Sequence, residues 1–105
     1  MAEVVWAPSS IKDINAIAEY IAKDSLIAAK NMVELFFQKA EILIRFPYYG
    51  KQVPETKNSF LREILVGRYR IIYEVFSEDQ VNILTVHHQS RLLKNNPSIK
   101  RRIRK

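Results

Sequence analysis

Four arginines lie within or beside one strongly β-patterned stretch of the chain, and guanidinium groups are suited to binding anions. The stretch runs from Leu61 to Arg91, and the arginines are Arg62, Arg68, Arg70 and Arg91. A guanidinium offers a fixed positive charge and a planar fork of donors that matches a carboxylate or a phosphate. Arg70 stands among apolar neighbours, so its charge requires a partner. Glu63 and Glu74 are candidate internal partners, and a phosphate or a partner's carboxylate is the alternative.

Two adjacent histidines, His87 and His88, close the last strand of this stretch. Side chains alternate along a strand, so His88 is predicted to share a face with Leu84 and Val86 while His87 points the other way. Two histidines on opposite faces do not readily bind one metal ion, so we predict no metal site. The chain has no cysteine, which excludes a disulfide framework, a thiolate nucleophile and a thiolate metal site. We predict no cofactor.

The stretch itself predicts three consecutive antiparallel strands. They are Leu61–Val66, Tyr69–Phe76 and Val81–His88, rich in β-branched and aromatic residues. Gly67 lies where a tight turn needs a positive φ, which glycine adopts without steric cost. In the middle strand, the face that carries Arg70 and the opposite face are both largely apolar. We therefore predict that this strand is central and that each face is at least partly covered.

The segment before the sheet predicts one strand and two helices. Glu3–Trp6 is a short β-branched run that ends at a proline. Pro8 suits the first turn of a helix, and Ser10 with Asp13 resembles a capping box. Apolar residues then recur at helical spacing to Lys23 and again after an Asp-Ser break. The short break predicts an antiparallel helix hairpin. The predicted fold class is α+β: an N-terminal strand and a two-helix hairpin packed on a small antiparallel sheet (β-α-α-β-β-β).

Two further segments stand outside this pattern. The loop Phe46–Ser59 contains Tyr48 and Tyr49, which could stack on bases or on a partner or pack half-buried. Residues 1–93 carry 11 basic and 11 acidic residues, so residues 94–105 supply the whole net charge of +6. We predict one domain over residues 1–105 with a basic appendage over 94–105, in which Ile99–Lys105 forms a short helix. No signal peptide or membrane span is recognised, which predicts an intracellular soluble protein.

The order of elements and several local sequences resemble the RelE/ParE superfamily of type II toxin–antitoxin toxins. The matching segments are VVWAPSS, AEYIAKDS, FPYYGKQVPE, LREILVGRYRIIYEV and ILTVHHQSRLL. The resemblance covers residues 3–93. It implies a toxin that arrests growth, a cognate antitoxin as partner, a hetero-oligomer with that antitoxin, a role in plasmid stabilisation and a cytoplasmic location.

The superfamily holds two chemistries, and the resemblance extends to both. RelE-like members cut mRNA on the ribosome, which requires a base, a positive charge on the phosphate and an acid. Candidate residues for this chemistry are Glu55, Arg70, His87 or His88, and Arg91. The first strand of the meander lacks the lysine of the cutting relatives, and the tyrosine after the last strand is absent. The long helix hairpin and the segment REILVGRYRIIY look more like the ParE-like members, whose type members inhibit DNA gyrase.

We predict a ParE-like toxin, with mRNA cleavage as the alternative and a domain that binds antitoxin without toxicity as a second alternative. The antitoxin segment is predicted to be acidic and amphipathic, and to lie on the helix hairpin or to add a strand to an open sheet edge. The predicted contacts to a partner or to nucleic acid are basic: Arg62, Arg68, Arg70, Arg91, Lys100, Arg101, Arg102 and Arg104.

Overall fold

The computed structural model describes residues 1–102 and confirms the α+β class. The strands are β1 (Glu3–Trp6), β2 (Lys51–Gln52), β3 (Leu61–Val66), β4 (Tyr69–Ser77) and β5 (Gln80–His88). The helices are α1 (Pro8–Ala22), α2 (Leu26–Ala40) and the short α3 (Ile42–Arg45), and a 3-10 turn spans Leu93–Asn95. The strands and helices predicted from hydrophobic periodicity are confirmed, while β2 and α3 were not predicted.

The five strands form one mixed sheet in the order β1-β5-β4-β3-β2. The β3-β4-β5 meander is antiparallel as predicted, and Gly67 turns between β3 and β4 with a φ of +57°. β1 joins this meander at its β5 edge. It pairs with β5 in parallel, from Glu3 opposite Gln80 to Trp6 opposite Ile83. β4 is therefore central, with two strands on either side.

The helix hairpin covers one face of this sheet. Ser25 caps α2 by accepting a hydrogen bond from the Ala28 amide at 3.0 Å, as its position predicts. Phe36 is fully buried between the hairpin and the sheet, and its ring meets Tyr69 of β4 edge-on with centroids 5.5 Å apart. Apolar side chains of β3, β4 and β5 complete this core: Ile64, Val66, Ile71, Tyr73, Val75, Val81, Ile83 and Val86.

The predicted capping box at the start of α1 is wrong. Ala7 is the N-cap residue and makes no side-chain cap, with Pro8 at the first helical position. Asp13 instead accepts hydrogen bonds from the Thr85 hydroxyl and the Val86 amide of β5. The reason is tertiary: β1 ends at Trp6, so the outer edge of β5 beyond that point requires partners that α1 supplies.

The opposite face of the sheet is covered by a second apolar cluster, which includes the C-terminal segment. Its members are Val53, Leu61, Ile72, Leu84, Leu93 and Ile99, all buried. The segment after residue 94 thus contributes to the core, and the expectation of an appendage is wrong at Ile99. The predicted helix is not formed by residues 99–102, which are turns. Residues 103–105 lie outside the described residues.

One extra residue in β5 changes the predicted alternation of its side chains. Ile72 pairs with Thr85 and Tyr73 pairs with Ile83, so Leu84 has no counterpart on β4. Leu84 therefore packs in the second cluster, whereas Val86 packs under the helices. The prediction that Leu84 and His88 share a face is wrong, because a bulge shifts the period-two pattern by one residue.

Within residues 1–102, no helix combines the length and the apolar character needed to cross a membrane.

The position of Phe36 makes a prediction about stability. Phe36→Ala removes a fully buried ring and leaves a cavity, so we expect the free energy of unfolding to fall by about 3–5 kcal/mol. Phe37→Ala is the matched control, because the neighbouring ring is exposed to 39% and its loss should cost less. Chemical denaturation of the two variants gives the comparison, and equal losses would contradict the core assignment.

Candidate functional site

Arg70 is the centre of a charged cluster on the sheet face away from the helices. Arg70 is only 8% exposed, and its guanidinium contacts two carboxylates. Nη1 and Nη2 donate to the two oxygens of Glu55 at 3.0 and 2.7 Å, and Nε donates to Glu63 Oε1 at 2.7 Å. The two-pronged contact with Glu55 is the strongest geometry available to an arginine–carboxylate pair. Of the two partners predicted for Arg70, Glu63 is confirmed.

The two carboxylates differ in their access to water. Glu63, on β3, is buried at 3% exposure and lies diagonally across the strand pair from Arg70, near Lys51 Nζ at 3.7 Å. Glu55 comes from the loop after β2 and its side chain is 40% exposed. The prediction of Glu74 as a partner of Arg70 is wrong. The Glu74 carboxylate lies 3.7 Å from Arg102 instead. Arg70 therefore has one fixed inner partner and one partly exposed outer partner.

The ion pair shifts the pKa of both its members. Hydrogen bonds from Arg70 hold the pKa of the Glu55 carboxyl below its ordinary value of 4.5, although partial burial opposes the shift. The same hydrogen bonds raise the pKa of the Arg70 guanidinium above its ordinary value. Glu55 is therefore a carboxylate at neutral pH, and its lowered pKa makes it a weaker proton acceptor than a free glutamate.

His87 lies on the same face, opposite Arg70 in the β4–β5 register. Asn96 Oδ1 accepts from the Ser98 amide, so the Asn96 amino group donates to Thr85 Oγ1 and to His87 Nδ1 at 2.9 Å. Nε2 is then the protonated nitrogen and donates to the Arg91 carbonyl at 2.9 Å. Both ring nitrogens of this buried histidine are used within the protein, which fixes its neutral tautomer.

His88 lies on the other face of the sheet and does not join the cluster. Its ring meets Tyr69 edge-on with centroids 5.2 Å apart, and its Nδ1 accepts from the Ser90 amide at 3.0 Å. Of the two histidines considered for catalysis, the structure therefore brings His87 to Glu55 and Arg70 and keeps His88 apart. In residues 1–102, no three side chains of the metal-binding types converge.

Arg62 donates to backbone carbonyls, whereas Arg70 donates to carboxylates. It donates from Nε to the Gly50 carbonyl at 2.9 Å and from Nη1 to the Ser59 carbonyl at 3.1 Å, which ties the loop to β3. Gly50 also donates its amide to the Tyr73 hydroxyl at 2.9 Å. A Cβ at Gly50 would lie 2.4 Å from the Glu63 carbonyl, so only glycine permits this close approach. Burial raises the pKa of Tyr73, which keeps its hydroxyl protonated.

The remaining predicted basic residues are spread over the surface. Arg68 and Arg91 are exposed at the end of the sheet where the β3–β4 turn and the segment after β5 meet, and the Gln89 amide donates to the Arg68 carbonyl at 2.8 Å. Lys100 and Arg101 are exposed, whereas Arg102 reaches Glu74 and donates to the Ser98 carbonyl. Arg104 lies outside the described residues.

Sequence reasoning missed the residues that hold this cluster in place. Asn96 and Asp13 are joined through Thr85, and Asp13 is 72 positions from Thr85 in the chain. Lys51 was also missed, because its strand β2, which places it opposite Glu63, was not predicted. Asn96 precedes a proline, and that pattern marks a turn rather than a contact to a histidine ring.

Comparison with known proteins places this chain in one class, the toxins of type II toxin–antitoxin systems. Residues 4–93 match the model of the "ParE toxin of type II toxin-antitoxin system, parDE". The chain is 32% identical over 92 residues to Toxin RelE2 of Caulobacter vibrioides, which covers 88% of this chain and all of that protein. It also resembles a chain of the chromosomal ParDE system from P. aeruginosa, with a TM-score of 0.69 over 84% of this chain and 96% of that one. That structural likeness is at 16% sequence identity and concerns the fold.

The chain belongs to the ParE toxin family, within the RelE/ParE superfamily. The resemblance found in the sequence is thereby confirmed. A type II toxin–antitoxin toxin is the class of function that follows.

The lowered pKa of Glu55 predicts a pH-dependent contribution to stability. A carboxyl whose pKa is lower in the folded state stabilises fully above its unfolded value and loses that effect as the pH falls through its folded pKa. At pH 7, Glu55→Gln should lower the free energy of unfolding by about 1 kcal/mol, a small value because water screens a partly exposed pair. The difference from wild type should shrink as the pH falls below 4.5.

Urea denaturation of both proteins from pH 7 to pH 3 measures this difference. Glu78→Gln is the control, because Glu78 is an exposed glutamate in the turn between β4 and β5. A Glu55→Gln difference that stays constant over this range would contradict the ion pair as the source of the stabilisation.

Proposed function

We propose that this protein is a cytoplasmic ParE-like toxin that arrests growth by inhibiting DNA gyrase and that contributes to plasmid stabilisation. The observation that supports the ParE-like activity is the state of the Arg70 cluster. The guanidinium is held by two carboxylates, and both nitrogens of His87 are hydrogen bonded within the protein. RNA cleavage needs a positive charge for the phosphate and a proton donor for the leaving oxygen. In this protein, the Arg70 guanidinium and the His87 ring, which could supply those groups, form hydrogen bonds that maintain the fold instead.

A second candidate function is ribosome-dependent mRNA cleavage, and one observation favours it. Glu55, Arg70 and His87 meet on one sheet face, and together they include a possible base, a phosphate-binding charge and an acid. For cleavage, the loop carrying Glu55 has to release Arg70, and His87 has to exchange a hydrogen bond for the leaving oxygen. We rank this function second because it requires both rearrangements.

The antitoxin is proposed to be an acidic, amphipathic segment that forms a hetero-oligomer with the toxin. Two surfaces fit it. On the helix hairpin, Leu26 and Ile27 are more than 70% exposed beside a shallow apolar groove lined by Ala22, Ala29 and Val33. At the sheet edge, β2 pairs only with Arg62 and Glu63, so the outer edge of β3 beyond them is open to an added strand in the part of the chain described.

Two assays on purified protein separate the candidate targets. We expect wild type to inhibit supercoiling by DNA gyrase and to leave mRNA intact on translating ribosomes. Cleavage of mRNA that is lost in Glu55→Gln and His87→Gln but kept in His88→Gln would replace the proposal by the second candidate. His88→Gln is the matched control because that ring lies on the other sheet face. Absence of growth arrest on expression would instead favour a domain that binds antitoxin without toxicity.

The exposed basic residues near the C-terminus predict how the antitoxin associates. Deletion of residues 99–105 would remove Ile99 from the core, so substitutions that remove only the charges are the better test. Lys100→Gln with Arg101→Gln should slow association several-fold and flatten its salt dependence, because exposed charges mainly affect the association rate. Stopped-flow association and dissociation rates at two salt concentrations test this. An unchanged association rate and salt slope would show that these charges do not steer the antitoxin.

A further inference from the structure

An exposed group of aromatic rings surrounds Arg62 at the β2–β3 side of the sheet. We call Tyr48, Tyr49, Phe60 and Arg62 the aromatic–arginine surface. The three aromatic residues are 49%, 63% and 52% exposed, so about half or more of each remains in contact with water. Exposed aromatic residues that cluster rather than scatter mark a binding surface more often than single exposed residues do.

Three members of this surface, Tyr48, Phe60 and Arg62, contact one another. The Arg62 guanidinium carbon lies 5.3 Å from the centroid of the Tyr48 ring, and the rings of Tyr48 and Phe60 lie 6.4 Å apart. The loop backbone is tied to the sheet by the hydrogen bonds of Arg62 and by the bond from Gly50 to Tyr73. The rings are thus held on a fixed support, which lowers the entropic cost of binding.

The segment that carries this surface is basic. Arg45 and Lys57 are exposed cations of residues 45–62, as is Arg62 in part, whereas Lys51 lies by Glu63 on the other sheet face. The segment has one anion, Glu55. That anion is neutralised by its contact with Arg70. The surface is also distinct from the Arg70 cluster, because Arg62 and Glu63 are successive residues of β3 and point to opposite faces of the sheet.

We propose that the aromatic–arginine surface binds single-stranded nucleic acid, with bases stacked on Tyr48 and Phe60 and phosphates near the cations of the same segment, Arg45, Lys57 and Arg62. Stacking rings interleaved with cations are the combination that single strands require, since every base has a π-face and every link a negative charge. A duplex hides its bases and offers only its phosphates to this surface. The proposal depends neither on gyrase inhibition nor on RNA cleavage.

Fluorescence anisotropy with a labelled 15-nucleotide oligo(dT) and oligo(U), and with a duplex of the same length, tests the proposal. Wild type should bind both single strands at 200 mM salt. Its affinity for the duplex should be at least tenfold lower than its affinity for the single strands. Tyr48→Leu and Phe60→Leu remove the ring but keep an apolar side chain, and each should weaken single-strand binding about tenfold. Tyr48→Phe keeps the ring and should bind as wild type does.

Two controls separate stacking from simple charge attraction. Tyr20→Leu changes another exposed tyrosine, on α1, and should leave binding unchanged. Lys100→Gln with Arg101→Gln should reduce the salt slope while preserving the preference for single strands. Equal binding of duplex and single strand, no saturable binding by wild type, or unchanged binding by both folded leucine variants would overturn the proposal. Melting curves establish that each variant is folded.

Discussion

A buried guanidinium needs carboxylates within hydrogen-bond distance, and this requirement at Arg70 organises one whole side of the molecule. A charge in the centre of a sheet is costly unless its donors are satisfied. Glu63 meets the need from the neighbouring strand, and Glu55 meets it from a loop. The loop between β2 and β3 is thereby drawn over the sheet, and its Val53 packs in the apolar cluster beneath it. Arg70, for which a phosphate was one of the two kinds of partner considered from the sequence, anchors a loop in the structure.

The second sheet face shows how this anchor is connected to the C-terminal segment. Val53 shares its apolar cluster with Leu93 and Ile99, and Thr56 of the same loop donates its hydroxyl to the Arg102 carbonyl. Asn96 connects the segment to His87. Because the contacts share residues, a change in the C-terminal segment is expected to reach the Arg70 cluster through packing and hydrogen bonds. Apolar burial and the charged cluster are thus parts of one arrangement.

The family and the activity stand on different kinds of observation. Membership follows from residues spread along positions 4–93, most of which maintain strands and helices. The proposal of gyrase rather than mRNA as target depends on a few side chains, since unrelated activities can share one fold. The side chains proposed for cleavage already have hydrogen-bond partners within the protein. Glu55 and Arg70 bind each other, and His87 binds Asn96 and the Arg91 carbonyl. The presence of a residue type therefore does not establish that its side chain is free to contact a substrate.

The sequence by itself determined the meander, the helix hairpin, the turn at Gly67 and the need of Arg70 for a partner. These are local matters of periodicity, steric freedom and charge, and they can be read from neighbouring residues. Tertiary structure decided which carboxylates hold Arg70, that β1 runs parallel to β5, and that Ile99 belongs to the core. It also decided the bulge at Leu84, which separates that residue from His88. Each of these depends on contacts between segments far apart in the chain, where spacing along the sequence contains no direct measure of distance.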